Sequence, residues 1–475
     1  MYKILTKDEV ERVHTAALDI LENVGVAIYS PRALNLLRRA GVEVDLEKRI
    51  ARPAAVLVED TIRKAPEEFV LGGRSSKRDL KLERGKTYFR TPTGPIYIID
   101  SNTGACREGQ KKDLENFARL IDATDQIDYP GCILFPQDVP PEVRDLYATE
   151  ILMENTEKHV MTQLYNSRSL TYLYEMSRLI VPNDKERRKR PPITLTVSPT
   201  TPLQFTEDSL EFLMGCSKYG IPMQFTSDPT LGGTGPVTLA GALMVQHAEV
   251  MMGTLIAQLT EPGAAIIYTN RANPLNMRAG TALFGAIENG IMAAAMVQMA
   301  RRIRLPVDVR FGTDSKAYDE QTVAEKTLNM AIPILVADPN VSTGAGELEA
   351  ATTVSMEQLV IDAEIIGMVR RALRGIEVNP ETLAEEVVAK VGPGGHFLGE
   401  KHTREHFNKE FFFPTMFDQR SRLTWEMEGS KDIVARAKEK VTKILKEHEP
   451  VPLDRNAQEG LHQLLRKAEK DFRKT

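Results

Sequence analysis

The sequence predicts an α/β protein: a TIM-type (β/α)8 barrel with an N-terminal helical and small-sheet region and a C-terminal helical extension. Three observations predict it. From about residue 111, short β-rich runs that are apolar on both faces alternate with helix-length segments, the pattern of parallel strands covered by helices. Seven such units run along the chain, which suits a closed barrel better than an open sheet. No G-x-G-x-x-G follows the first of them, which argues against a dinucleotide-binding sheet. A chain of 475 residues has room for one such barrel and its additions.

The elements follow in order. Residues 1–110 read as the N-terminal region. Thr6 caps "KDEVERVHTAALDILENV", with Glu9 completing a capping box and Gly25 stopping the helix. "SPRALNLLRRAG" repeats the pattern with Ser30 as cap, Pro31 in the first turn and Gly41 at the end. "PAAVLVEDTIRKAP" is a third helix between prolines, and "TYFRTPTGPIYIIDSNTGACREG" alternates and turns like a small antiparallel sheet. The barrel is assigned to 111–420. Its strands are expected at 131–138, 159–165, 193–199, 222–228, 264–270, 306–314 and 339–347, with an eighth near 396–415. From about 376 the chain turns helical and charged, and 421–475 is the C-terminal extension. "NDKERRKRPP" (183–192) reads as a solvated basic loop.

A formal net charge of −5 leaves no basic footprint for nucleic acid and no polybasic membrane patch. Cys106, Cys132 and Cys216 have neither metal-like spacing nor the look of a disulfide framework, which suits a reducing, cytoplasmic location. The first residues lack a signal peptide's apolar core, and no span reaches the roughly 20 apolar residues of a membrane helix.

In a barrel of this kind, chemistry sits at the C-terminal ends of the strands. The polar residues there are Gln137, Asp138, Gln163, Tyr165, Ser198, Asp228, Tyr268, Asn270, Arg271, Arg310 to Asp314, Glu347 and Glu349. "STGAGELE" (342–349) lacks the Lys of a phosphate loop, and its carboxylates would repel a phosphate. It reads as a barrel rim whose acidic side chain suits a cation. Ser355 and Gln358 then box the start of "LVIDAEIIGMVRRAL". In "GPGGHF", the glycines let His396 and Phe397 project into a cleft. His402-x-x-Glu405-His406 matches an inverted zinc-protease pattern, so a zinc hydrolase is an alternative, although no third ligand is marked. His14 and His247 read as core histidines.

Four stretches together resemble the trimethylamine methyltransferase family, specifically its members without pyrrolysine, of the glycine betaine:corrinoid type. They are "LTKDEVERVHTAALDILENVGV" near the start, "GTDSKAYDEQTVAEKTL" (312–328), "GAGELEAATTVSMEQLVIDAEIIGMVRR" (344–371) and "GGHFLGEKHTREHFNKEFFFPTMFDQRS" (394–421). The resemblance spans essentially the whole chain. It implies a barrel with flanking helices and methyl transfer from a methylated amine to the Co(I) corrinoid of a separate corrinoid protein. No cofactor is then tightly bound to this chain, no residue is assigned to a metal, and a homo-oligomer is expected. The histidines of "HTREHF" become part of a family motif.

The chemistry can be read from below. The enzyme need only hold an N-methyl group in line with a strong external nucleophile and exclude water. A quaternary ammonium leaves as a neutral amine and needs no general acid. A tertiary amine needs extra activation, which the resemblance assigns to pyrrolysine in the archaeal enzymes. The ordinary residues of this sequence therefore favour a quaternary, betaine-like amine. Its head wants aromatic faces, for which Tyr97, Phe135, Tyr165, Tyr268, Phe311 and Phe397 are candidates, with Glu347, Asp228 and Asp314 as positioning carboxylates. A betaine carboxylate wants donors such as Arg271, Arg310, His396 and Asn270, and Gln163 completes the set. A non-catalytic quaternary-amine-binding relative is a further alternative.

Overall fold

The structure is a computed structural model and describes residues 4–473. Eight parallel segments close a barrel: β1 (Tyr88–Arg90), β2 (129–131), β3 (Val160–Thr162), β4 (Ile193–Val197), β5 (Met223–Ser227), β6 (Ile266–Asn270), β7 (Val307–Arg310) and β8 (Val341–Thr343). Single parallel bridges, Arg90 to Tyr129 and Gly131 to Met161, seat β2 between β1 and β3. The ring closes where Val341, Ser342 and Thr343 pair with Tyr88, Phe89 and Arg90. A helix follows every strand, from Lys111–Asp122 after β1 to Met356–Arg374 after β8.

The eighth strand is thus not near 396–415, where the chain is helix and loop, but at 88–90, upstream of residue 111. The expected strand at 131–138 pairs only at its start, and 132–138 is irregular chain.

The barrel interior is layered. Near the N-terminal end, Tyr129, Met161, Ile267 and Val341 pack with Leu71 and Leu82 of the hairpin Phe69–Leu71/Leu80–Leu82, which plugs the floor. Two residues along, the next inward positions are polar. Arg90 Nη2 donates to Asp308 at 2.7 Å and to Gln224 Oε1 at 2.8 Å, and Thr343 Oγ1 donates to the other Asp308 oxygen at 2.7 Å. Burying Arg90 and Asp308 is tolerable because each is paired and hydrogen-bonded. Above this layer the barrel opens.

The N-terminal helix Lys7–Asn23 has both bonds of its capping box: Thr6 N to Glu9 Oε2 at 2.7 Å and Glu9 N to Thr6 Oγ1 at 3.3 Å. Its His14 bonds His247 of Leu239–Thr260 at 2.9 Å, and His247 in turn bonds Tyr268 Oη at 3.2 Å, so both histidines are core residues. Helix Leu239–Thr260 is long and apolar enough to cross a membrane, contrary to the expectation of no such span, but most of it is buried in the barrel wall.

Ser355 Oγ accepts from Gln358 N at 3.2 Å, as a cap should, whereas the Gln358 side chain turns to Asp362 at 2.8 Å instead of closing a box. The basic run is a short helix, Asp184–Lys189, not a loop; Arg187 is buried and donates to Val181 O at 3.1 Å.

At the C-terminus, Ile433–Glu447 packs on Met356–Arg374 and Arg455–Arg473 on Ser169–Ile180. Between them, 376–431 holds short helices whose apolar side chains face out: Ile376 is 86 % exposed, Leu398 87 % and Met427 79 %.

Candidate active site

A cleft of about 290 Å³ lies at the C-terminal mouth, where barrel enzymes place their chemistry. Strand alternation builds it: the inward residues that follow the buried polar layer are Gln163, Thr196, Ser198, Thr226, Asp228, Arg271 and Arg310. An accessory sheet, Thr230–Leu231, Asn273–Asn276 and Thr281–Ala282, borders the opening.

Arg310 is held from two sides. Its guanidinium makes a bidentate pair with the fully buried Glu347 (Nε to Oε1 3.1 Å, Nη2 to Oε2 3.0 Å) and lies 4.2 Å over the Phe284 ring. Asp314 fixes that ring's backbone by accepting from Phe284 N at 2.8 Å and Gly285 N at 3.0 Å. Glu347 is carried by the "STGAGE" turn. Gly344 adopts φ 147° there, and a Cβ on it would meet Phe311 O at 2.0 Å, so close approach requires glycine. The turn hangs on the buried Lys326, whose Nζ donates to Gly344 O (2.9 Å), Glu347 O (2.8 Å) and Asp362 Oδ2 (2.6 Å); the same Asp362 oxygen accepts from Gly346 N at 2.7 Å.

Asp228 opens to the cleft, yet the surrounding protein desolvates its carboxyl and raises it to about 6. Arg271 and Arg310 pull it down and Glu249 pushes it up. Confinement brings Arg271 down to about 10, with Asp308 4.0 Å away opposing, so it stays charged at neutral pH. The cleft therefore presents one carboxylate against guanidiniums. Among the described residues no Cys, Lys or His lines it. Its hydroxyls, from Ser198, Thr93, Thr196, Thr226 and Thr230, have no imidazole or amine beside them in the lining.

Of the residues singled out from the sequence, the structure brings together Gln163, Ser198, Asp228, Arg271 and Arg310. Glu347 and Asp314 stand behind them as positioning groups. The expected aromatic faces do not line this cleft. Tyr268 stacks on His247 in the barrel wall, and Phe311 packs under Lys326 at 5.7 Å. Phe135 and Tyr165 pack on each other with centroids 5.0 Å apart, and Tyr97 lies in the strand Tyr97–Ile99. His396 and Phe397 are exposed in the C-terminal segment. Asn270 ends β6, and its side chain lies outside the described residues.

Among the described residues the protease-like pattern assembles no metal site. His402 Nε2 meets Glu381 O at 3.1 Å, His406 Nε2 pairs with the Glu381 carboxylate at 3.1 Å, and Glu405 reaches Lys401 at 3.5 Å. Sequence reasoning missed Arg90, Thr93, Asn273 and Phe284. Arg90 sits in the stretch read as a small antiparallel sheet, and Phe284 in a loop before helix Ile287–Arg302.

The profile of the family described as trimethylamine methyltransferase (MTTB) matches residues 1–472. The chain is 32 % identical to trimethylamine methyltransferase MttB of Desulfitobacterium hafniense, over 98 % of this chain and 94 % of that one. It is 34 % identical to MttB2 of Methanosarcina mazei (99 % and 96 %) and 31 % identical to a glycine betaine methyltransferase of Desulfitobacterium hafniense (95 % and 94 %). Its fold is similar to the crystal structure of the Methanosarcina barkeri monomethylamine methyltransferase, with a TM-score of 0.57 at 12 % identity, covering 94 % and 88 % of the two chains.

Proposed function

Because the chain belongs to the trimethylamine methyltransferase family, we propose that it transfers a methyl group from a betaine-like quaternary amine to a corrinoid carried by a separate protein. The observation that carries the substrate class is that Asp228, Arg271 and Arg310 line one cleft. A zwitterion offers each its complement: the ammonium head to Asp228, the carboxylate to the guanidiniums. Relatives named for trimethylamine and for glycine betaine are about equally similar, and the cleft chemistry supports the betaine reading.

The nucleophile that takes the methyl carbon would come from a reduced corrinoid on the partner. The C–N bond breaks as the new bond forms, and its electron pair stays on nitrogen as a neutral amine. Arg271 and Arg310 anchor the carboxylate, Asp228 neutralises the head, and the accessory sheet limits water. An external acceptor can reach the cleft, since it opens to solvent at Asp228.

The test is turnover of a panel of betaines with a competent, reduced corrinoid protein, read by mass spectrometry of the demethylated amine. A demethylated betaine is expected. Binding without turnover would identify a non-catalytic amine-binding relative, and turnover of trimethylamine alone would refute the betaine reading.

Ionised Asp228 is required for the cation, so betaine affinity falls as pH drops through about 6, by about tenfold per unit below it. Asp228→Asn weakens binding and flattens that dependence; calorimetry across pH 5–8 checks both. In the free protein the sign reverses. The folded state holds the Asp228 proton more tightly than the unfolded chain, so this group's contribution to stability is lost as pH rises through about 6.

The exposed apolar side chains of 376–431 support a homo-oligomer, and the three free cysteines a reducing cytoplasm. Light scattering on the eluting protein is expected to exceed the 53.0 kDa of one chain, and Leu398→Asp with Met427→Asp to lower it.

A further inference from the structure

On the outer face of the barrel, Glu150 and Glu154 lie one turn apart on helix Arg144–Asn155, opposite His462 of helix Arg455–Arg473. One ligand atom from each lies within 4.8 Å of the others. His462 Nε2 is 3.0 Å from Glu154 Oε1 and 3.8 Å from Glu150 Oε1. Ligands bound tetrahedrally at about 2.1 Å from a zinc ion sit roughly 3.4 Å apart, within this range. A second observation concerns the buried carboxylate. The Glu150 side chain is only 7 % exposed, and its Oε1, like Glu154 Oε1, has no hydrogen-bond partner among the described residues. Native proteins rarely bury a carboxylate oxygen without a partner.

We propose that Glu150, Glu154 and His462 bind a first-row divalent cation of the zinc class, which staples the C-terminal helix to the barrel. Two carboxylates and an imidazole are a suitable donor set for such an ion, with water completing the tetrahedron. Lys111 and Arg466 lie near enough to favour the charged form of Glu150. Among the described residues neither ion-pairs with Glu150 or Glu154, whose charged partner is His462, itself one of the three ligands. The two helices also meet through Tyr147 Oη to Glu469 at 2.5 Å. A metal would add a second tie, leaving the mouth untouched.

The test uses the full chain without a polyhistidine tag, stripped with chelator and titrated with Zn2+ by calorimetry and thermal melting. One equivalent is expected to bind and raise the melting temperature, with Mg2+ far weaker. His462→Ala and Glu154→Gln are expected to lower zinc affinity more than about tenfold while circular dichroism shows the fold retained. His402→Ala with His406→Ala is expected to leave binding intact. The proposal fails if no zinc is taken up, if uptake survives His462→Ala, or if it follows the His402/His406 pair.

Discussion

Lys326→Met is expected to destabilise the protein by about 3–5 kcal/mol, the cost of leaving one member of a buried ion pair alone. Lys326 and Asp362 are fully buried and 2.6 Å apart. Removing the ammonium also orphans the carbonyls of Gly344 and Glu347, to which it donates. A double variant, Lys326→Met with Asp362→Leu, is expected to recover part of the loss, since apolar residues often replace a buried pair at little cost. Denaturant midpoints of the single and double variants check this; a single-variant loss under about 1 kcal/mol would show that the pair does not hold the turn. Because that turn carries Glu347, activity is expected to fall in the single variant even where it remains folded.

Arg310→Lys is expected to lower kcat/KM for a betaine by about 100-fold, roughly 2.7 kcal/mol of transition-state binding, with little change in melting temperature. Lysine keeps the charge but loses both the fork that meets Glu347 and the flat face on Phe284. The geometry that presents a guanidinium edge to a carboxylate then goes too. Tetramethylammonium, which has no carboxylate, is the control: its turnover or binding is expected to change little. Equal losses for both would assign Arg310 to the fold of the mouth and not to carboxylate recognition.

How far the sequence carried the architecture can be traced in particular residues. The barrel rhythm was legible because β4, β5 and β6 bury nearly every residue and so stand out as apolar runs between helices. β1 was not, because it is three residues long and its Arg90 finds its partner, Asp308, 218 positions away. No local pattern reveals such a pair. At the mouth, strand-end position gave depth but not face. Arg310 points inward, so Phe311, its neighbour, must point outward, and it lies against Lys326. The same alternation sends Tyr268 to His247 while Arg271 enters the cleft. Counting parity from Asp308, Gln224 and Ile267 would have separated the two sets. The polar groups from β5, β6 and β7 were readable because they stand at strand ends; Phe284 was not, because a loop outside the strand pattern delivers it.

The closure of β8 onto β1 has a consequence during synthesis. Until residues 341–343 leave the ribosome, Tyr88–Arg90 has one unpaired edge, a template for strand addition by other chains. At about 5–20 residues per second that interval is roughly 10–50 s. The strand Val26–Ile28 waits similarly for Gln204–Phe205, its parallel partner. Ribosome-bound chains cut short before residue 341 should therefore aggregate or recruit chaperones, while chains extended past the helix Met356–Arg374 should not.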